Sequence, residues 1–153
     1  MISMELNAIF QKAVAFARHQ RHEYVTIEHV MLALLNSSDG EAIIKVCGAE
    51  VEIIRESLAS YLMQTMEPLP EDAEQDPFET VALARMIDGM LQHVRSAQKE
   101  SADVGDLIAA VYEERHTYAC MLLEEYGIER VDVLEAISHR DEDSFSDESQ
   151  SDG

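Results

Sequence analysis

The chain can be laid on itself. At an offset of 77 residues Phe10 falls on Ile87, Ala13 on Met90, Val14 on Leu91, Ala17 on Val94 and Arg18 on Arg95. The register continues through Ile27 on Val104, Val30 on Leu107 and Leu34 on Val111. Two residues more place Gly48 on Gly127, and one further residue places Val51 on Val131. Any two amphipathic helices can be slid into register, but agreement over four successive elements in one order marks a duplication. Each half reads as a long helix, a capped helix, a short helix ended by glycine, and a last helix. The expectation is an all-α domain of about eight helices in two pseudo-symmetric four-helix repeats.

Apolar periodicity predicts helices near 4–20, 26–36, 39–47, 50–65, 79–99, 103–115, 117–126 and 131–138. Strand signals are thin: β-branched residues sit at helical rather than alternating spacing, and only three prolines and six glycines interrupt the 153 residues. The fourth helix is expected to bury Val51, Ile54, Leu58, Tyr61 and Leu62, and the fifth Leu83, Met86, Ile87, Met90, Leu91 and Val94. Gly48 and Gly127 suit left-handed C-terminal caps, which other residues reach only at a steric cost. Gly89 inside the fifth helix costs about 1 kcal/mol against alanine and points to close approach of another helix. The folded domain is expected over 1–140, with repeat one at about 4–65, an acidic loop at 66–78 and repeat two at about 79–139. Residues 141–153 have the composition of an acidic, Ser-rich linker.

The net charge of −20 is unevenly placed. Glu67, Glu71, Asp72, Glu74, Asp76 and Glu79 lie in one loop with Pro68, Pro70 and Pro77, and six more acids lie in the tail from Asp141 to Asp152. Those twelve have no basic residue among them, so the rest carries 19 acids against 11 bases, or −8. Phosphate contacts need clustered Lys and Arg, which argues against a nucleic-acid partner. No apolar run approaches the roughly 20 residues that span a bilayer. Cys47 and Cys120 are too few for a disulfide framework, fit a reducing cytoplasm, and read as small apolar packing residues.

Catalytic motifs are missing from the sequence. No glycine pair has the spacing of a phosphate-cradling loop, and none of Lys12, Lys45 and Lys99 follows a glycine. There is no Gly-x-Ser-x-Gly elbow, and neither cysteine has a context that activates a thiolate. His19, His22, Glu23, Glu28 and His29 are the one grouping to weigh as a metal site. His22 and His29 flank a helix break and are weak candidates, but the spacing is not His-Glu-x-x-His, and no metal is expected. Met31, Met86 and Met90 fall on core faces. Met63 and Met66, beside Tyr61 and Leu69, form a possible apolar groove for unfolded peptide.

The most specific wording runs from Arg21 to Leu35: Arg-His-Glu-Tyr-Val-Thr-Ile-Glu-His-Val-Met-Leu-Ala-Leu-Leu. Thr26 can cap a helix through its hydroxyl, Glu28 sits where the helix dipole favours an anion, and Ile27, Val30, Met31 and Leu34 give the helix a buried face. This stretch resembles the signature of the Clp N-terminal domain family in the form found in ClpA-type unfoldases. The closing Val131-Asp132-Val133-Leu134-Glu135-Ala136-Ile137-Ser138-His139 is similar to that family's ending, and the resemblance covers residues 4–140. Val30-Met31 and Phe78-Glu79 depart from the usual pattern.

The resemblance implies a bacterial, cytoplasmic, non-catalytic domain, a monomer in isolation, that docks the adaptor ClpS for delivery of N-degron substrates and contacts some protein substrates directly. ATP and Mg, and the protease subunit ClpP, would belong only to ATPase modules absent from this chain, toward which 141–153 would lead. Carried over position by position, the adaptor-binding residues are Glu23 and Glu28 at the first corner, and Thr80 and Arg85 at the opening of the fifth helix. Two carboxylates would receive a partner lysine, and Thr80 and Arg85 a partner carboxylate. The alternative is a module that captures unfolded peptide through the apolar groove of Tyr61, Met63, Met66 and Leu69.

Overall fold

The structure, a computed structural model, describes residues 1–151, with side chains described for residues 1–140. Eight helices are found among the described residues: α1 (Met4–His19), α2 (Ile27–Leu35), α3 (Ser38–Val46), α4 (Val51–Thr65), α5 (Val81–Ser96), α6 (Val104–Val111), α7 (Tyr118–Glu125) and α8 (Arg130–Ser151). The last helix, expected near 131–138, begins at Arg130 and runs on to Ser151; the solvation read for 141–153 concerns side chains that lie outside the described ones.

The duplication is written in the caps. Ser3 accepts a hydrogen bond from the Leu6 N–H to start α1, and Thr80, 77 residues on, does the same for Leu83 in α5. Thr26 and Asp103, again 77 apart, start α2 and α6 with reciprocal capping boxes closed by His29 and Asp106. Each such cap satisfies backbone donors that a helix start otherwise leaves free. The long helices also end alike. Among the described residues Arg21 and Gln98 are the two non-glycine residues with positive φ, both at 58°, and Gly48 and Gly127 end the short helices at φ of 90° and 75°.

What joins the repeats is a reciprocal backbone exchange that helical periodicity does not reveal. Tyr24–Val25 (β1) pairs in parallel with Phe78–Glu79 (β2), Tyr24 opposite Phe78 and Val25 opposite Glu79. At the equivalent place Ile2 bridges Ala102. The Thr80 N–H donates to Val25 O at 3.2 Å, and the Ser3 N–H to Ala102 O at 2.8 Å. The segment leading into each long helix is thus clipped to the corner of the other repeat.

One contiguous core runs through both halves. Leu6, Met31, Leu34, Ile54, Leu107 and Leu123 are among the side chains fully removed from water. The expected faces of α4 and α5 are inward, with Tyr61, Ile87 and Leu91 half-buried.

Three expectations are corrected. The fifth helix starts at Val81, not at 79, because Phe78 and Glu79 are paired with β1. In the last helix the correct register is 79: Ile54 and Val133 are both fully buried, whereas Val131, aligned with buried Val51, is 52% exposed. Gly89 does not admit another helix, since a Cβ placed there meets nothing within 4 Å.

A left-handed conformation costs a non-glycine residue about 1 kcal/mol, and exposed Gln98 bears that cost. Gln98→Gly should therefore raise the unfolding free energy by about 1 kcal/mol, read as a higher urea midpoint at unchanged slope.

Candidate docking surface

The corner between α1 and α2 has a polar interior. The Thr26 N–H donates to His29 Nδ1 at 2.9 Å. That nitrogen therefore holds no proton, and the ring carries its proton on Nε2. His29 Nε2–H then donates to His22 Nδ1 at 2.8 Å, which leaves His22 with its own proton on Nε2. Both rings are buried, with Phe16 set edge-on against each. Burial lowers the proton affinity of both, His29 to about 4, with His22 adding to the effect. Both are neutral at pH 7.

Glu28 turns inward as well. It is 6% exposed, and its Oε2 accepts the Ala119 N–H at 3.0 Å at the opening of α7. A carboxylate at a helix start is favourable electrostatically, and this one ties α2 to the second repeat. The expected pair of outward corner carboxylates is therefore a single one, Glu23, which is exposed.

β1 and β2 bring the remaining residues onto one surface. The Phe78 N–H donates to Glu23 O at 2.9 Å, so Glu23 and Thr80 flank the same short sheet. Thr80 is half-buried and its hydroxyl oxygen caps α5. Beside them Tyr24, Phe78 and Val81 are 42%, 58% and 78% exposed. These three apolar residues were missed in the sequence because they belong to no periodic face; an aromatic residue two positions before the Thr26 and Thr80 caps was the available signal. Arg85, further along α5, donates through Nε and Nη2 to both carboxylate oxygens of Glu114, at 2.7 and 3.0 Å.

The possible peptide groove is not assembled. Half-buried Tyr61 stacks on Tyr118 with centroids 4.1 Å apart, and Met63 is 58% exposed. Met66 packs against the core, while Leu69 donates its N–H to Arg21 O and lines a hollow with Arg18 and Arg21. A different groove of about 390 Å³ lies between α5 and α6, floored by Met86, Gly89, Met90, Ala109 and Ala110.

Among the described residues no group of three or more His, Cys, Asp or Glu has the geometry to hold a metal ion, and both ring nitrogens of His29 are engaged within the corner. Burial pushes the Cys47 and Cys120 thiols up, Cys120 to about 11 with Glu124 contributing, so neither is poised as a thiolate. No described helix is long and apolar enough to cross a membrane.

Fold and surface together define a duplicated all-helical domain with an exposed apolar patch edged by charge. The chain belongs to the Clp repeat N-terminal domain family, whose profile matches residues 1–126. It is 28% identical over 138 residues to a ClpA homolog protein of Fuscovulum blasticum, covering 90% of this chain and 17% of that one, so it spans about a sixth of that relative's length. Its fold is similar to the Hsp104 N-terminal domain of Candida albicans, with a TM-score of 0.78, 11% identity and 91% of each chain covered. It is also similar to the ClpV N-domain in complex with a VipB peptide, with a TM-score of 0.68, 19% identity, and 86% of this chain and 81% of that one covered.

The histidine pair makes the corner acid-sensitive. In the unfolded chain His29 takes a proton near 6.5, and in the folded one only near 4, so the unfolded state gains protons first as pH falls. Its contribution to stability is complete above pH 6.5 and declines from there toward pH 4, by about 3 kcal/mol in all. His29→Gln, which keeps an acceptor for the Thr26 N–H, should flatten the fall in melting temperature between pH 7 and 5.

Proposed function

We propose that this domain is the adaptor-docking amino-terminal module of an ATP-driven Clp unfoldase, and that the adaptor it takes is ClpS, the carrier of N-degron substrates. The single observation behind this reading is the β1–β2 clip. It joins the α1–α2 corner to the opening of α5, two segments far apart in sequence, and makes one continuous face of Glu23, Tyr24, Phe78, Thr80 and Val81. An exposed apolar patch edged by charge is the composition of a protein-docking surface. The peptide seen on a ClpV N-domain supports a protein ligand for this fold in general.

Within that face the roles divide. Glu23 offers a carboxylate to a partner lysine or arginine. Thr80 keeps its O–H proton free to donate while its oxygen caps α5. Arg85 has Nη1 directed to a partner, with Glu114 holding the rest of the guanidinium in place. Glu28 acts from behind by fixing α2 to α7, and makes no contact with the adaptor. ATP hydrolysis, Mg binding and the contact with ClpP belong to ATPase modules outside this sequence.

The direct test is a calorimetric titration of the domain with ClpS from the same organism at low and high salt. The expectation is one-to-one binding that weakens as salt rises. Glu23→Lys and Arg85→Glu should each lower the affinity tenfold or more with melting temperature within a few degrees of the parent. Glu28→Gln should lower the melting temperature and leave the affinity of the folded fraction unchanged. Absence of binding by calorimetry and by an independent probe would overturn the assignment of the adaptor.

A further inference from the structure

The peptide between Val25 and Thr26 joins the buried histidine pair to the docking face. Its N–H donates to His29 Nδ1 at 2.9 Å, and its C=O accepts the Thr80 N–H at 3.2 Å in the β1–β2 clip. A peptide unit is planar and rigid. Turning the N–H away from the histidine therefore carries the carbonyl out of the clip. The second repeat has the same arrangement 77 residues on, at the peptide between Ala102 and Asp103. There the N–H donates to Asp106 Oδ2 at 2.9 Å and the C=O accepts the Ser3 N–H at 2.8 Å. The groups behind the peptide differ. His22, Thr26 and His29 are replaced position for position by Lys99, Asp103 and Asp106, and Lys99 Nζ bonds the Asp106 carboxylate at 2.6 Å. One clip is backed by two imidazoles, the other by an ion pair.

Both acceptor nitrogens of the pair are occupied. His29 Nδ1 takes the Thr26 N–H, and His22 Nδ1 takes the His29 Nε2–H at 2.8 Å. An added proton must displace one of these bonds. On His29 Nδ1 it stands donor against donor with the Thr26 N–H. On His22 Nδ1 it drives the His29 proton from Nε2 to Nδ1, where Thr26 Oγ1 at 2.8 Å accepts it, and the Thr26 N–H again loses its acceptor. Either route ends at the same peptide. Little nearby steadies the added charge. On α1, Phe16 is set against both rings and Arg18 is turned to Asp76. Glu28 faces the start of α7, Glu23 and Tyr24 are exposed, and Tyr61 of α4 stacks on Tyr118 of α7. On α3, Asp39 and Glu41 hold Arg140 and Lys45, and on α6 Asp106 holds Lys99. Burial, and for His29 the neighbouring His22, are what depress the proton affinity of the rings.

We propose that the histidine pair is a proton-operated release for the docking face: a proton entering the pair frees the peptide between Val25 and Thr26, opens the β1–β2 clip and parts Glu23 and Tyr24 from Phe78 and Thr80, while the Ile2–Ala102 clip and the shared core stay closed. The release acts on the face assigned to the adaptor and so rests on that reading. Its direction follows from linkage. The closed corner resists a proton that the opened corner accepts near 6.5, so acid favours opening, progressively from pH 6.5 toward 4. For His29 alone the ratio of open to closed grows roughly twentyfold between pH 7 and 5. The domain holds its adaptor at neutral pH and sheds it in acid without unfolding.

The test is amide hydrogen exchange on the whole chain at pH 7 and pH 5, read residue by residue by NMR and corrected for the intrinsic pH dependence of exchange. Protection of the Thr26 and Thr80 amides should fall about tenfold or more, and that of the Ser3 and Asp103 amides by less than about twofold. His29→Gln, whose side-chain oxygen accepts the Thr26 N–H and takes no proton in this range, should abolish the difference. Calorimetry with ClpS then reads the consequence: the parent should bind about tenfold more weakly at pH 5 than at pH 7, and His29→Gln no more than about twofold. If ClpS binds at neither pH, the adaptor assignment falls and the amides alone decide the release. Protection at Thr26 and Thr80 that is unchanged by acid, or lost equally at Ser3 and Asp103, would overturn the release even where ClpS binds, and that result requires no variant to fold.

Discussion

The reciprocal clip between the repeats is the constraint on which the rest of the molecule depends. Each four-helix unit presents an apolar face too large to leave in water, and the second copy is what covers it. Apolar burial is non-directional and would tolerate sliding of one unit on the other. The backbone hydrogen bonds from Thr80 to Val25 and from Ser3 to Ala102 do not. They fix the register at two symmetry-related points and place the cap of each long helix against the corner of the opposite unit. Because the clip at Val25 sits on the buried histidine pair, it is also the place where the surface of the domain meets its least replaceable interior chemistry.

That arrangement explains why the most distinctive stretch of sequence is mostly not a surface. His22, Thr26, Glu28 and His29 are all buried, and each makes a hydrogen bond inside the domain. Unpaired polar groups at such a site would each cost on the order of 1–3 kcal/mol, so the residue types are tightly specified. A pattern of that kind is easily read as a binding motif when seen as text. The exposed members of the stretch are Glu23 and Tyr24, and they gain their importance from neighbours more than fifty residues away.

The helices, the Thr26 cap and the duplication were legible in the sequence because they rest on local rules: apolar spacing, a hydroxyl cap, glycine after a short helix. The β1–β2 pairing was not, since two residues of parallel strand leave no periodic trace and depend on contact between the halves. The same limit applies to Glu28, whose direction is decided by α7, and to Val131, where one residue of slip turned a buried position into an exposed one. Thr80 and Glu23, read in the sequence at two separate places, lie beside one short sheet, while the apolar groove sought near Tyr61 is not assembled. Glycine in a helix was read as close packing; here it is the absence of packing.

Duplication gives a physical reason for that difference. Two copies of one unit need only one set of contacts to hold the core, and the clip supplies both copies with the same anchoring. A side chain lost from the outer face of one copy then costs its own packing and little more, because the shared core beneath is intact. In the first repeat Phe16 is set edge-on against both rings of the histidine pair, and removing it would disturb His22 and His29. In the second repeat the equivalent box is closed by Asp103, Asp106 and Lys99 at the surface, with no aromatic support required.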